Sequence, residues 1–306
     1  MSQQDGVLVL NKPSGMTSAA CIARIKRGFG QKKIGHAGTL DPMAQGVLLV
    51  LLGQATKISG HLMDAGRKVY SGHIRLGVQT DTWDMEGAVL SEKPCGHVTA
   101  EAVRAGMAEL VGTYEQEVPA YSAAKHEGKP LYTLARKGIA TPVKTKVVTI
   151  FRGEAELVGL PLVHFRVECS SGTYIRSLAH SLGMRLGCGA ALAELIREYS
   201  HPFGLETAVS LETLASAPEG FAAHVASIAD ALPDWPLVVA NREEEAGVCN
   251  GNPVAFIRPG SPFGNTGFVE GQPALLVRED RTPLALVQTA RKNGQEVWAI
   301  VRGLWN

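Results

Sequence analysis

Six consecutive aliphatic residues, Val47-Leu-Leu-Val-Leu-Leu52, set between Gly46 and Gly53, restrict the fold of this chain more than any other segment. A half-exposed strand alternates apolar and polar side chains, so a run without alternation must be covered on both faces. The run falls far short of the roughly 20 residues needed to span a bilayer. It reads as the buried strand of a soluble domain, and 306 residues that are 45% hydrophobic are enough for a substantial core. A second segment, Val163-His-Phe-Arg-Val-Glu-Cys169, alternates strictly and reads as a strand with one wet face.

Helical patterns lie between and around these strands. Thr17-Ser18 can cap a helix from about Ala19 to Arg27, with Gly28 as its stop. Val103, Met107, Leu110 and Val111 form a stripe at helical spacing ended by Gly112. A third helix is expected from near Thr173 to Gly187, with Ile175, Leu178, Ala179 and Leu182 on one face. Strands and helices mix without regular βαβ alternation, which predicts an α+β fold rather than a doubly wound one. The breaker-rich segment Leu232-Pro-Asp-Trp-Pro236 precedes a change of character. After it come short apolar runs, Val254-Ala-Phe-Ile257, Ala274-Leu-Leu-Val277, Leu284-Ala-Leu-Val287 and Val297-Trp-Ala-Ile-Val301, separated by Gly, Pro and Asn. The expected division is a domain over residues 1–232 and a small β-rich domain over residues 236–306.

The 30 Lys and Arg nearly balance 29 Asp and Glu, a formal charge of +1, so any surface for nucleic acid must be local. Cys21, Cys95, Cys169, Cys188 and Cys249 are scattered, with no CxxC pair. Free or buried thiols in a reducing cytoplasm are expected, rather than disulfides or a zinc site. Met1 to Gly6 is polar, and the first apolar run, Val7 to Leu10, stops at Asn11-Lys12-Pro13. No leader and no membrane association are therefore expected.

Directly before the buried strand, Gly35-His36-Ala37-Gly38-Thr39-Leu40-Asp41-Pro42-Met43-Ala44-Gln45-Gly46 holds one carboxylate against a proline among small residues. Taken alone, Asp before Pro most often marks a turn, and a lone His is usually a surface or hydrogen-bonded residue. Four further blocks change that weighting. They are Leu10-Asn-Lys-Pro-Ser-Gly-Met-Thr-Ser18; Lys68-Val-Tyr70, leading through Leu76-Gly77 to Gln79-Thr-Asp-Thr-Trp-Asp-Met-Glu-Gly87; Pro119-Ala-Tyr-Ser-Ala-Ala-Lys-His-Glu-Gly128; and Cys169-Ser-Ser-Gly-Thr-Tyr-Ile-Arg176. With these five blocks in order over most of its first 200 residues, the chain resembles the TruB family of tRNA pseudouridine synthases.

The resemblance implies a mixed, mostly antiparallel sheet in the catalytic domain and a PUA-like RNA-binding domain at the C-terminal end. It implies conversion of uridine 55 in the tRNA T-loop to pseudouridine by base flipping, with neither metal nor organic cofactor. Asp41 takes the position of the family's nucleophile, Arg176 that of the arginine paired with it, and Tyr70 that of the tyrosine stacked on the target base. Tyr174 and Leu195 match pocket-lining positions, and His36 matches a histidine placed against the RNA near the flipped nucleotide. Lys12 and Lys68 are expected among the residues that bind the RNA, serving position and charge. Lys125, Lys129, Arg136, Lys137, Lys144 and Lys146, with Tyr121 and Tyr132 interleaved, supply the local basic stretch for a tRNA backbone. The T-stem-loop of tRNA is the expected partner, with no obligate protein partner and a monomeric chain. The alternatives are an RNA-binding protein that lost the chemistry, or a guide-RNA-dependent relative; Asp41, Tyr70 and Arg176 together weigh against the first, the lack of long extensions against the second. One segment departs from the family pattern of Leu-Arg-Arg-Thr and a Gly before Pro-Phe. Here it reads Leu195-Ile-Arg-Glu-Tyr-Ser-His-Pro-Phe203, with one basic residue fewer and an added acid.

Overall fold

The computed structural model, which describes residues 2–64, 66–256 and 268–305, places the aliphatic run inside a ten-stranded sheet. In chain order its strands are β1 (Gly6–Lys12), β2 (Ile34–Ala37), β3 (Gln45–Leu52), β4 (Arg67–Leu76), β5 (Gly112–Glu117), β6 (Thr145–Gly159), β7 (Leu162–Ser170), β8 (Ala190–Ser200), β9 (Phe203–Gly204) and β10 (Val225–Ala226). Across the sheet the order is β10-β1-β3-β8-β4-β7-β6-β5, with β2 paired to β3 and β9 to β8. All these pairings are antiparallel except β3 with β8, so the sheet is mixed and mostly antiparallel, as expected.

The run is covered on both faces, and the two covers differ. Leu48, Val50 and Leu52 of β3, with Leu8 and Leu10 of β1, join a core with Cys21, Ile25 and Phe29 of helix α1 (Ser18–Phe29). Val47, Leu49 and Leu51, with Val7 and Val9, point the other way and meet Ile58 and Leu62, Leu275, Val277 and Leu286 from the C-terminal sheet, and Leu304 just after it. Each face removes several aliphatic side chains from water, at roughly 1.5–3 kcal/mol per fully buried side chain. The C-terminal sheet contains β11 (Leu237–Val239), β12 (Val254–Ala255), β13 (Pro273–Val277), β14 (Pro283–Lys292) and β15 (Gln295–Gly303), in the order β11-β13-β14-β15-β12. The four apolar runs after Pro236 fall on β12 to β15, except that Phe256 lies just past β12 and Ile257 lies outside the described residues.

Two helix ends differ from the sequence expectation. Thr17 caps α1 as expected, its Oγ1 accepting from Ala20 N at 3.0 Å, but the helix runs past Gly28 to stop at Gly30, with φ 65°. Stopping at Gly28 would leave Phe29 off the buried stripe, whereas the extra turn stacks its ring on Phe221 at 4.1 Å. The second helix, α2 (Ala100–Ala108), buries Val103 and Met107, then ends before Val111, which is 43% exposed. The third, α3 (Ile175–Arg185), buries Ile175, Leu178, Ala179 and Leu182 as the stripe requires. A fourth helix, α4 (Arg242–Cys249), was not anticipated among the C-terminal strands, although Asn241 and Glu244 form the reciprocal capping box that announces it.

Candidate active site

Asp41 sits on the loop between β2 and β3, and the N-terminal block is the cradle of that loop. Ser18 Oγ accepts from Leu40 N at 3.0 Å and donates to Leu40 O at 3.1 Å. Gly15 N donates to Pro42 O at 2.9 Å, and Ser14 Oγ to Met43 O at 2.9 Å. Lys12 is fully buried, and its ammonium donates to the carbonyls of Pro13, Met16 and Pro42 at 2.8, 2.5 and 3.1 Å. This corrects its expected place among the RNA contacts: the donors are committed to the backbone, so Lys12 locks two loops together beneath Asp41. Burial pulls its pKa down, against the nearby Asp41 and Glu86 charges that raise it.

The aspartate meets Arg176 at the start of α3 in a two-point contact, Nε to Oδ2 at 2.9 Å and Nη2 to Oδ1 at 3.2 Å. Such fork geometry fixes the carboxylate plane as well as its charge. The arginine side chain is 6% exposed and the aspartate 35%, so the pair is rooted in protein and open at the carboxylate. Arg176 also donates to Thr82 O at 3.1 Å and Tyr121 O at 3.0 Å, joining three of the sequence blocks at one guanidinium.

Asp84, not singled out from the sequence, lies 3.6 Å from Arg176 Nη1 and is as buried as the arginine. Its Oδ1 accepts from Thr82 Oγ1 at 2.6 Å and from Glu86 N at 3.1 Å. Burial raises its pKa above the ordinary carboxylate value, more than the Thr82 hydrogen bond and the Arg176 charge bring it back. The turn carrying it is held by Trp83, whose φ of 63° is unusual for a bulky residue and whose ring stacks on His180 of α3 at 4.5 Å. Backbone bonds between Trp83 O and Leu192 N and between Met85 N and Leu192 O, each 2.9 Å, tie the turn to β8.

Tyr70 is buried on β4 in the same core cluster as Leu195. Burial pushes its phenol upward, with the Arg197 guanidinium as the largest opposing influence. Tyr174 caps α3, its backbone gripped by the Gln116 amide through bonds of 2.7 and 3.1 Å. Its phenol is also raised by burial, countered by Ser122 and Arg176. Asp41, Tyr70, Arg176 and Tyr174 thus share one neighbourhood, linked by contact or by charge.

Opposite the carboxylates lies a cationic end. Arg197 is directly across from Tyr70 in the β8–β4 register and is 1% exposed; its Nε donates to Val47 O at 2.6 Å and its Nη2 to Gly38 O at 2.8 Å. Gly46, at φ 100°, lets β8 approach, because a methyl group there would meet Arg197 O at 2.3 Å. Lys68 is 7% exposed, with its pKa lowered to about 8 by burial and then by Arg197. His36 on β2 is half-buried; its Nδ1 has no partner among the described residues, and burial lowers its pKa, aided by Arg197. The family departure avoids this end: Ile196 and Glu198 alternate with Leu195 and Arg197, and Glu198 pairs with Arg166 at 2.8 Å.

Lys125 and Arg136 stand apart from the cluster. Lys125 lies on the small Lys125–His126 and Lys129–Pro130 hairpin, and Arg136 ends the short Leu131–Ala135 helix with its guanidinium 5.5 Å from the Tyr132 ring centre. Both are exposed, on the segment that leaves Tyr121 at the site. Among the described residues, no three His, Cys, Asp or Glu side chains converge in a way that could hold a metal ion. None of their helices is long and apolar enough to cross a membrane.

A chain in the crystal structure of a Cbf5-Nop10-Gar1 complex superposes with a TM-score of 0.74, at 26% identity over 99% of this chain and 85% of that one. The model of the TruB family pseudouridylate synthase N-terminal domain matches residues 26–175. The tRNA pseudouridine synthase B of Nitratidesulfovibrio vulgaris strain Miyazaki F is 57% identical over 305 residues, covering 100% of this chain and 98% of the relative. That of Oleidesulfovibrio alaskensis is 58% identical over 306 residues, with the same coverage. Fold and relatives together define a pseudouridine synthase. Within that class, the chain belongs to the TruB family.

Proposed function

We propose that this chain isomerises uridine 55 in the T-loop of tRNA to pseudouridine, with Asp41 as the nucleophile, acting in the cytoplasm as a monomer without an obligate protein partner. The observation that carries the reading is the open Asp41 carboxylate held at two points by the buried Arg176. The reaction breaks the bond from ribose C1′ to N1, turns the base and forms a bond from C1′ to C5; the C5 proton leaves and N1 gains one. No electrons or water are exchanged, so the site needs positioning and one group that can hold an intermediate. Arg176 holds the Asp41 carboxylate in a fixed plane and aims it. Tyr70 faces the base beside the Arg197 charge, at the place where the proton transfer from C5 occurs. Flipping the base costs a few kcal/mol, and His36, next to the catalytic loop, occupies space at the extruded nucleotide. Lys125 and Arg136 meet the RNA backbone further out, as does the PUA-like domain of residues 236–306.

Incubation of the purified protein with an unmodified tRNA transcript, followed by mapping of pseudouridine, tests this. The expected result is one new pseudouridine at position 55. Product elsewhere in the tRNA overturns the site assignment, and no product overturns the activity.

A further inference from the structure

Two cations at the site are not used by Asp41. Lys68 and Arg197 are both buried, and no carboxylate among the described residues forms an ion pair with either. Arg197 gives Nε and Nη2 to the carbonyls of Val47 and Gly38 and also bonds the Tyr70 phenol, none of which cancels its charge, and the Lys68 Nζ makes no hydrogen bond among the described residues. The two cationic head groups converge. A methyl group on Gly38 would lie 3.3 Å from Arg197 Nη1 and 3.6 Å from Lys68 Nζ, so both face the space over one glycine Cα, whose φ of 79° itself favours glycine. His36, with its unpartnered Nδ1, is two residues away. Like charges buried together oppose folding until an anion neutralises them. Lys146 adds a second positive influence on Lys68, after Arg197.

We propose that Lys68 and Arg197 form a phosphate subsite that holds one phosphodiester group of the RNA strand beside the base presented to Asp41. The inference rests on the reading of the chain as a uridine isomerase acting on RNA. It gives the cleft a polarity. Asp41 and Asp84 make one end acidic, Lys68 and Arg197 make the other basic, and Tyr70 lies between, two residues from Lys68 on the same strand and opposite Arg197. A nucleotide has the matching polarity, with a neutral base and ribose at one end and an anionic phosphate at the other. The subsite therefore sets which way the flipped nucleotide enters and, through the Arg197 bond to Gly38, couples phosphate binding to the Asp41 loop. A backbone contact of this kind orients RNA without reading its sequence.

The test is a binding measurement, independent of turnover. T-stem-loop RNAs, each with one loop phosphate replaced by a neutral methylphosphonate, are titrated against the wild-type chain, Lys68→Met, Lys68→Gln and Lys68→Arg, all checked for folding by circular dichroism. In the wild type, one linkage should weaken binding about tenfold when neutralised, the size of a charge-assisted hydrogen bond. That linkage should become silent in Lys68→Met and Lys68→Gln and stay sensitive in Lys68→Arg, while the other linkages keep their effects. The slope of log Kd against log salt should fall by roughly 0.7 in the two neutral variants. If every linkage has the same effect in wild-type and neutral variants, the subsite is wrong, whatever the activity. If the coupling appears but the wild type makes no pseudouridine, the subsite stands and the isomerase reading falls.

Discussion

Arg176 and Arg197 are both buried at the site, yet their surroundings are opposite. Arg176 lies between Asp41 and Asp84 and ends in carboxylates. Arg197 ends on two backbone carbonyls, with Lys68 as its charged neighbour. A buried guanidinium can thus be made tolerable in two ways. At the first, the chain supplies the counter-charge and obtains a fixed, reactive carboxylate. At the second, the chain satisfies the geometry of the arginine but leaves its charge for a ligand. The carboxylate end is complete in the free protein, and the cationic end is complete only with an anion.

The contrast predicts that the two ends respond to substitution in opposite senses. Asp41→Asn should have the largest effect, lowering the single-turnover rate at least about a thousandfold while leaving tRNA affinity within about twofold. Substantial product in a rapid-quench assay of this variant would remove Asp41 from the nucleophile's place. Arg176→Ala should lower the rate about a hundredfold and also destabilise the fold by about 3 kcal/mol, because Asp84 is left buried without its cation. Denaturant unfolding that matches the wild type would break the view that this end is internally balanced. The smallest effect is expected at Lys68, and its sign is reversed. Its folded pKa, about 8, is below the ordinary 10.5, so the folded state sheds the proton first. The burial penalty is complete below pH 8 and is relieved as pH rises from there toward 10.5, a total of about 3 kcal/mol. Cys169, pushed up to about 11, and the raised Tyr70 act in the opposite direction above pH 9. The useful quantity is therefore the difference between wild-type and Lys68→Met stability from pH 7 to 9. The variant should be the more stable at pH 7, with the gap narrowing as pH rises; a constant gap would mean that Lys68 is not an uncompensated cation.

The legible and illegible parts of the molecule follow the same division. The aliphatic run and the alternating strand were readable because one strand's period states which faces are dry. Asp41 and Arg176 could be named together through the family blocks, although 135 residues separate them. Asp84 lay inside a quoted block and was passed over, because sequence order does not reveal that a turn brings it to within 3.6 Å of Arg176. Lys12 was misplaced for the same reason, since a lysine in a loop gives no sign that three carbonyls surround it. Arg197 was hidden in the segment that departs from the family pattern. The period-two rule applied there would have put Leu195 and Arg197 on one face and the two departures on the other.

The two covers of β3 also have a consequence for synthesis. Cys21, Ile25 and Phe29, which pack against one face, emerge from the ribosome before β3 itself. The residues that close the other face, Leu275, Val277, Leu286 and Leu304, emerge more than 200 residues after it. For most of translation Val7, Val9, Val47, Leu49 and Leu51 form a strand surface with only nearby residues such as Ala55, Ile58 and Leu62 against it and its C-terminal cover missing. Exposed aliphatic surface of this kind attracts other chains during folding. A nascent chain stalled or cleaved near Leu232 should therefore be a strong client for chaperones, even though every residue of the Asp41 site has already been made.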